Sequence, residues 1–568
     1  MIIGLDVGGT NTDVVLIGKD RILRQTKVPT DHSNLFKSVW TGLDEITRDI
    51  PSGSIGRAVL STTLTTNAII EKKIAGTGMI VCSGPGIDPE LFRTDDHYFC
   101  ASGSIDHRGR EIQPIDSKEI QTVASKWRAE GLKQVGVVGK FSVRNPKHET
   151  EIQALLGEGF DYIVLGHRLS GNLSFPRRIA TAYLNASVHP IHRKFFEAVR
   201  DSLDKKGLNI PIYVLKADGG TMSLEASMNY PGQTILSGPA ASVMGALPFA
   251  SENEETLVLD IGGTSTDMAV LVRGSPLLDP IGIEINGHKT LIRSLRTRSI
   301  GLGGDSALRL TDGELEIGPD RHGPPMAYGG PVPTPTDALV ALRELSDGDV
   351  GASFAGLKPL ADKLGVPVEQ VAEQVLNKVC QKILDAVAQM ITGINSKPVY
   401  TVHELLEEHQ VKPQEILVLG GPAPAFAARF AAMTDSLVRV VPQWRVANAI
   451  GAALAKNTCE VALFADTEQG MAMAPEEDFS QPVGKDFDRQ SAVGLACDLL
   501  HNKCVREGAP AEMVEMEVLE DLQFNMVRGF HTTGRNIRTK VQVKPGLIPE
   551  YREIARTLFK VESEPEVG

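Results

Sequence analysis

One eight-residue pattern occurs twice in the chain, at its beginning and near its middle. Residues 6–13 read DVGGTNTD and residues 260–267 read DIGGTSTD, with identical residues at six of the eight positions. The two copies are separated by the length of a whole domain, which is far too long for the unit of a solenoid repeat. The pattern therefore predicts two related domains that begin in the same way.

Apolar, strand-forming residues flank both copies of the pattern, over residues 1–5, 14–17, 256–259 and 268–271. The pattern predicts a strand, a tight turn and a strand, in which paired glycines supply a positive φ or a close backbone approach. Further segments alternate between helical and strand patterns, at 35–48, 120–130, 134–138, 162–166, 176–206, 212–215, 356–410 and 415–419. Such alternation indicates an α/β fold.

The chain has 568 residues, more than one hydrophobic core supports. We predict an N-terminal domain at 1–170, a second domain at 171–460 and a small C-terminal unit within 461–568. In that last part, the polar stretch 472–488 has the composition of a linker. A helix over 489–505 and a pair of strands are expected after it.

Composition excludes several classes of partner. The net charge is −13 and no basic tract occurs, so a nucleic-acid backbone is not an expected partner. No stretch reaches the ~18 consecutive apolar residues of a membrane helix, and Asp6 interrupts the apolar run that a signal peptide needs. The six cysteines form no CxxC pair, so we expect a soluble cytoplasmic protein with reduced thiols and no disulfide.

The repeated pattern has the chemistry of an oligophosphate site. Adjacent glycines let backbone N–H groups approach phosphate oxygens, and hydroxyl and amide side chains add donors. The candidate donors are Gly8, Gly9, Thr10, Asn11 and Thr12, and Gly262, Gly263, Thr264, Ser265 and Thr266. Asp6 and Asp260 are candidate Mg²⁺ ligands, whereas Asp13 and Asp267 could orient a hydroxyl or a water. One such turn alone would more often be only a hairpin; two copies favour a functional site.

This repeated pattern resembles the two phosphate loops of the actin/sugar-kinase/Hsp70 superfamily. The resemblance implies two RNase H-like domains that close on ATP from either side. EILVLGGPAPAFA at 415–427 resembles the adenosine motif of that superfamily, with Gly420, Gly421 and Pro422 lying against the nucleotide. RVANAIGAALA at 445–455 resembles its interdomain hinge helix, although such a segment alone would more often be a buried core helix.

Other stretches are similar to the A-type subunit of the hydantoinase/5-oxoprolinase family. They are LSTTLTTNAIIEKK (60–73), LSGNLSFPRRIATAYLNASVHP (169–190), KADGGTMS (216–223), TILSGPAASVMGA (234–246), IGLGGDS (300–306) and TPTDA (334–338). The resemblance adds Gly303 and Gly304 to the cofactor-binding residues and makes Asn67, Arg177 and Asn185 substrate candidates; capping or solvated roles stay open for these three. Asp305 stands where the family usually has a third glycine, a departure in the loop that follows Gly303 and Gly304.

The resemblance also implies a reaction. In the family, ATP with Mg²⁺ activates a five-membered lactam or hydantoin by phosphorylating its carbonyl oxygen, and a separate B-type subunit often completes the hydrolysis. An ATP-dependent carboxylase subunit is an alternative, because the fold does not determine the acceptor. A small-molecule kinase and a non-catalytic ATP-dependent switch also stay open, and a homo-oligomer is compatible with the sequence.

Overall fold

The structure is a computed structural model that describes residues 1–31, 34–279, 281–396, 410–510 and 514–548. The strands of its first part are β1 (Ile2–Val7), β2 (Asn11–Ile17), β3 (Ile22–Pro29), β4 (Arg57–Thr62), β5 (Thr77–Cys82), β6 (Tyr98–Cys100), β7 (Ser104–Ile105), β8 (Glu111–Gln113), β9 (Gln134–Gly139), β10 (Tyr162–Leu165), β11 (Ile212–Leu215) and β12 (Thr221–Ser223). The helices of this part are α1 (Leu35–Thr47), α2 (Leu64–Ile70), α3 (Ser117–Ala129), α4 (Lys147–Leu156), α5 (Gly166–Leu169), α6 (Phe175–Lys205), α7 (Leu224–Asn229) and α8 (Ser237–Ala246).

The first repeat forms a hairpin at the centre of a six-stranded sheet with the order β12-β11-β4-β1-β2-β3. β1 pairs antiparallel with β2 and parallel with β4, which in turn is parallel to β11. Every residue of β1 is buried because the strand lies in the middle of the sheet with both faces covered. A second sheet has four strands in the order β10-β9-β5-β6.

The middle part of the chain carries the second repeat. Its strands are β13 (Glu255–Ile261), β14 (Thr266–Val272), β15 (Ser275–Pro276), β16 (Glu284–Ile285), β17 (His288–Lys289), β18 (Thr297–Ile300), β19 (Leu308–Thr311), β20 (Glu314–Ile317), β21 (Glu415–Leu419) and β22 (Leu437–Val440). Its helices are α9 (Pro335–Ala341), α10 (Val350–Leu364), α11 (Val368–Asn395), α12 (Ala423–Met433) and α13 (Ala447–Leu454). The predicted helix over 356–410 is two helices, and its residues 397–409 lie outside the described residues.

The two repeats have the same local topology. β13 pairs antiparallel with β14 and parallel with β21, which is parallel to β22, as β1 does with β2, β4 and β11. The predicted strand, turn and strand are confirmed in both copies. Of the two predicted reasons for the paired glycines, positive φ and close backbone approach, positive φ is found at none of these four residues. Close approach explains three of them: an added Cβ would lie 3.1 Å from Asn11 O at Gly8, 3.2 Å from Ser265 O at Gly262 and 2.6 Å from Asp305 Oδ2 at Gly263.

Helices α8 and α13 pack tightly between the two central sheets. One apolar cluster contains Ile2 from β1, Val258 from β13 and residues of both helices. A Cβ added at Gly451 in α13 would lie 2.3 Å from the backbone nitrogen of Gly245 in α8. Small side chains are therefore needed where these helices cross.

The C-terminal part is a five-stranded antiparallel sheet covered by one helix. Its elements are β23 (Glu460–Asp466), β24 (Met471–Ala474), β25 (Phe479–Pro482), α14 (Arg489–Arg506), β26 (Met516–Arg528) and β27 (His531–Val543), in the sheet order β25-β24-β23-β27-β26. The expected helix and strand pair are present. The expectation of a linker at 472–488 is wrong, because β24 and β25 pair within this stretch and extend the sheet.

The expectation that all six cysteines are reduced thiols is wrong for two of them. Cys459 and Cys504 form a disulfide, whereas Cys82, Cys100, Cys380 and Cys497 are free. Cys459 directly precedes β23 and Cys504 lies near the end of α14. The two residues are 45 positions apart in sequence and meet because α14 packs on the sheet.

Candidate active site

A cavity of about 700 Å³ lies between the two repeated hairpin turns. Most of the residues that the sequence singles out line it. They are Asp6, Gly8, Gly9, Thr10, Asn11, Asp13, Asp260, Gly262, Gly263, Thr264, Ser265, Asp267, Gly304, Gly420, Gly421 and Pro422. The turns are held alike, since Gly8 donates its N–H to Asn11 O and Gly262 donates its N–H to Ser265 O. The cavity is therefore bordered by both halves of the internal repeat.

The first hairpin places two carboxylates side by side on neighbouring strands. Asp6 on β1 is directly opposite Asp13 on β2. Burial, and then the charge of Asp13, raise the pKa of Asp6 to about 7. Burial also raises the pKa of Asp13, and the Lys27 ammonium, 2.7 Å from Asp13 Oδ1, opposes this rise. This hairpin therefore holds two buried carboxyls, with the Lys27 cation adjacent to Asp13.

The second hairpin repeats the arrangement with different neighbours. Asp260 on β13 is opposite Asp267 on β14. Burial, and then the charge of Asp260, raise the pKa of Asp267 to about 7, although the Ser299 hydroxyl donates a hydrogen bond to it. Asp260 Oδ2 accepts hydrogen bonds from Ser242 Oγ at 2.6 Å and from Asn448 Nδ2 at 2.9 Å. Helices α8 and α13 thus orient Asp260 directly.

The donor set fits a divalent cation that is shared with a phosphorylated ligand. Asp6 Oδ1 is buried and has no hydrogen-bond partner among the described residues, an arrangement that costs free energy unless a cation or proton satisfies the atom. Among the described residues, no group of three His, Cys, Asp or Glu side chains converges closely enough to hold a metal ion. Mg²⁺ commonly binds through one or two carboxylates together with phosphate oxygens and waters. Asp6 and Asp260 can supply those carboxylates.

Several cavity residues were not predicted from the sequence as site residues, although Asp305 was singled out as a departure from the family pattern. Lys27, Thr63, Asp305, Trp444, Arg445 and Asn448 also line the cavity. Lys27 could have been found by extending the first hairpin to its third strand, because Lys27 on β3 is directly opposite Asp13 in the sheet register. Asp305 forms an ion pair of 2.9 Å with Arg321. An acid at the position where a third glycine was expected is therefore accommodated by a cation.

Three of the predicted cofactor-binding residues, Thr12, Thr266 and Gly303, lie outside the lining of the cavity. The Thr12 hydroxyl hydrogen-bonds with the Thr30 hydroxyl at 3.0 Å, and the Thr266 hydroxyl donates to Leu302 O at 2.7 Å. Both threonines are fully buried. An added Cβ at Gly303 would lie 2.5 Å from Gly263 O, so Gly303 packs behind the second turn. These three residues support the turns.

The three substrate candidates are not brought together. Asn67 lies near the first turn, with its Nδ2 3.9 Å from the position of a Cβ added at Gly9. Arg177 donates to Thr290 O at 2.9 Å. Asn185 is buried, donates to Thr181 O and accepts from the N–H of Gly232. Asn185 lines a separate cavity of about 60 Å³, so of the three only Asn67 is close to the main cavity.

Two hairpin-centred sheets that face each other across a cleft define the class of protein. The fold is α/β with two actin-like ATPase-type domains. Solved structures share it: nucleotide-free acetone carboxylase superposes with a TM-score of 0.73 at 18% identity, covering 100% of this chain and 89% of that one. The ATP-dependent caprolactamase of Pseudomonas jessenii gives a TM-score of 0.68 at 19% identity, covering 97% of this chain and 88% of that one.

Sequence comparison gives the family. The model of the Hydantoinase/oxoprolinase family matches residues 178–461, and that of the Hydantoinase/oxoprolinase N-terminal region matches residues 2–159. The chain belongs to the hydantoinase/oxoprolinase family. The resemblance stated from its motifs is confirmed.

Curated relatives cover more than one reaction. The caprolactamase subunit alpha of Pseudomonas jessenii is 25% identical over 491 residues, 78% of this chain and 68% of that one. The acetophenone carboxylase gamma subunit of Aromatoleum aromaticum is 26% identical over 395 residues, 60% of this chain and 53% of that one. 5-Oxoprolinase 1 of Arabidopsis thaliana is 24% identical over 515 residues, 76% of this chain and 40% of that one. Among the described helices, none combines the length and apolar character needed to span a membrane.

Proposed function

We propose that this chain binds ATP, with Mg²⁺, between its two repeated turns. The observation that carries the proposal is that both turns and their four aspartates border one cavity of about 700 Å³, a size typical of small-molecule sites. The two turns would hold the phosphates, and Gly420, Gly421 and Pro422 would lie against the adenosine. Asp6 and Asp260 would hold Mg²⁺, which, when bound, offsets the negative charge of the phosphates.

The proposed reaction is the ATP-dependent opening of a cyclic amide. Amide resonance makes the carbonyl carbon a poor electrophile. Transfer of the γ-phosphoryl group to the carbonyl oxygen, with release of ADP, turns that oxygen into a leaving group. Water then adds to the carbon, and cleavage of the C–N bond releases the amine, which opens the ring and leaves an acyl phosphate. A second water hydrolyses the acyl phosphate to the carboxylic acid and phosphate. The proposal rests on the family and on the caprolactamase and 5-oxoprolinase relatives.

Asp13 and Asp267 are the proposed positioning and proton-accepting groups. A carboxyl with a pKa near 7 exchanges a proton readily at neutral pH, and Asp267 has such a pKa. The Lys27 ammonium favours the ionised form of Asp13. The site therefore offers a carboxylate on each side of the cleft to orient the acceptor or a water. We place the reaction in the cytoplasm.

The second candidate is a subunit of an ATP-dependent carboxylase. It is favoured by the acetophenone carboxylase relative and by the fold shared with acetone carboxylase. In either case we propose a second subunit, B-type in the hydantoinase case, because the caprolactamase and carboxylase relatives are named as subunits.

The test is Mg²⁺-dependent ATP hydrolysis by the purified chain, alone and with its candidate B-type subunit. Each preparation is assayed with 5-oxoproline, hydantoin, caprolactam, acetone and acetophenone plus bicarbonate. Stimulation by a cyclic amide, lost in Asp260→Asn and retained in the exposed-helix control Asp385→Asn, supports the first candidate. Stimulation only by a ketone with bicarbonate supports the second. No nucleotide binding by the wild-type chain in calorimetry overturns the proposal.

A further inference from the structure

The C-terminal sheet ends in an open edge. β26 pairs with β27 and, among the described residues, with no other strand. The strand is 13 residues long and contains no proline and no lysine, the residues that commonly protect sheet edges. Leu522 is 43% exposed and Phe524 is 62% exposed. A long edge with exposed apolar side chains is open to pairing with another strand.

A regular segment lies in the middle of β26. Bulges interrupt its pairing with β27 between Val518 and Glu520 and between Met526 and Val527. The residues between them, EDLQFNM at 520–526, are therefore the bulge-free part of the edge. Leu522 and Phe524 lie two positions apart in this segment and share a face of the sheet.

The acidic side chains of the strand are already paired within the chain. Glu520 forms an ion pair with Arg538 at 3.2 Å, and Asp521 forms one with Arg489 at 2.6 Å. Glu517 is 3.0 Å from Lys544. The acids therefore do not mark this edge for a basic partner, and two such edges can approach without bringing unpaired charges together.

We propose that β26 pairs antiparallel with β26 of a second copy of this chain, about a two-fold axis at Gln523. In this register Leu522 of each chain is opposite Phe524 of the other, so the axis produces two apolar cross-strand pairs. Asp521 is opposite Asn525, and Glu520 is opposite Met526. No acid faces another acid, and all seven bulge-free residues pair with one another.

Neighbouring registers fit less well. An axis at Leu522 places Glu520 opposite Phe524, which sets a charge against an aromatic ring. An axis at Phe524 keeps only residues 522–526 within the bulge-free segment. The pairing at Gln523 joins two five-stranded sheets into one continuous sheet. It is a closed two-fold arrangement that covers the β26 edge of each copy.

Cysteine cross-linking tests the register. In the proposed dimer, Gln523→Cys places the two Cα atoms about 5 Å apart, within the range of a disulfide. Asn525→Cys places them four residues apart along the strands, about 13 Å, which is too far. Under a mild oxidant, a Gln523→Cys dimer on a non-reducing gel, absent from Asn525→Cys and wild type, is the expected result. Equal cross-linking of both variants, or of neither, overturns the proposal.

The mass in solution tests the surface independently. Wild type should sediment as two chains, each of 61.2 kDa. Phe524→Lys should weaken the dimer by roughly tenfold or more, because it changes two cross-strand pairs at once. The control is Leu91→Lys, at an apolar residue that is 75% exposed and lies outside the C-terminal sheet. This variant should leave the dimer unchanged. A monomeric wild type overturns the proposal, whether residues 549–568 or a B-type subunit then proves to cover β26.

Discussion

Asn448 Nδ2 donates a hydrogen bond of 2.9 Å to Asp260 Oδ2, so helix α13 contacts the central carboxylate of the second repeat directly. Ser242 on α8 donates to the same oxygen at 2.6 Å. These are the two helices that pack between the sheets. A shift of either helix would therefore change the orientation of a carboxylate that we propose as a Mg²⁺ ligand.

Replacing Asn448 by Ala should weaken the site without unfolding the chain. A hydrogen bond to a charged group contributes about 1.5–3 kcal/mol, so we expect roughly a ten- to hundredfold loss in kcat/KM for Mg-ATP. Asn145→Ala removes an asparagine bond to Gly109 O far from the cavity and serves as the matched control. Equal kinetics of both variants and wild type would show that Asn448 does not position Asp260.

The two hairpins could be predicted from local sequence patterns. The strand, turn and strand around Asp6 and Asp260 follow from residues adjacent in sequence, and the repetition of the pattern indicated that both hairpins border one cleft. Lys27 and Asn448 were missed because their roles depend on pairing across strands and helices. Lys27 needed the register of a third strand, and Asn448 lies 188 positions from its partner.

The C-terminal part shows where local patterns mislead. Glu476 and Glu477 with nearby Gly and Pro suggested a linker, yet the neighbouring residues form two strands of a meander. Glu476 accepts hydrogen bonds from Gly171 N and Ala462 N, contacts that reach across 305 and 14 positions. Hydrogen bonds between residues far apart in the chain produce no periodic pattern in the sequence, so they could not be predicted from it.

Replacing Lys27 by Gln should shift the pH dependence of activity. Lys27 lowers the pKa of Asp13, so its loss lets burial raise that pKa further. The ionised form of Asp13 then appears only at higher pH, and the acidic limb of kcat/KM should move in that direction. We expect a several-fold loss at pH 6 and a smaller one at pH 8.5. Lys358→Gln, which breaks an exposed Lys–Asp pair on α10, should leave the profile in place.

Replacing Asp6 by Asn should change how stability depends on pH. The pKa of Asp6 is about 7 in the fold and 3.8 ordinarily. The folded state therefore holds a proton that the unfolded state releases between about pH 4 and 7, and wild-type stability falls as pH rises through that window. Asp6→Asn has no titrating carboxyl at this position, so its stability should not fall in this way as pH rises. Without Mg²⁺ it should be more stable than wild type at pH 8, by up to about 4 kcal/mol, and similar near pH 4.

The measurement is the free energy of unfolding in urea with EDTA at both pH values. Mg²⁺ with ADP should then stabilise wild type more than Asp6→Asn, because a ligand that binds only the folded state raises its stability and the variant lacks one proposed carboxylate. Parallel pH dependences of the two proteins would show that Asp6 is ionised in the fold at neutral pH.

The crossing of α8 and α13 can be tested with one methyl group. In Gly451→Ala the new Cβ would lie 2.3 Å from Gly245 N and 2.4 Å from Ala241 O, and backbone atoms cannot yield as a flexible side chain does. We expect a loss of about 3 kcal/mol or more in the free energy of unfolding, because overpacking forces the helices apart. Gly494 in α14 is the matched control, since no atom in the described part of the chain lies within 4 Å of its added Cβ. Gly494→Ala should stabilise the chain by about 0.5–1 kcal/mol, because alanine loses less backbone entropy in a helix.

Urea unfolding of both variants compares the two sites. A Gly451→Ala protein as stable as Gly494→Ala would show that the helices do not cross at this distance, and Asp260 would then have to be oriented by something other than their contact.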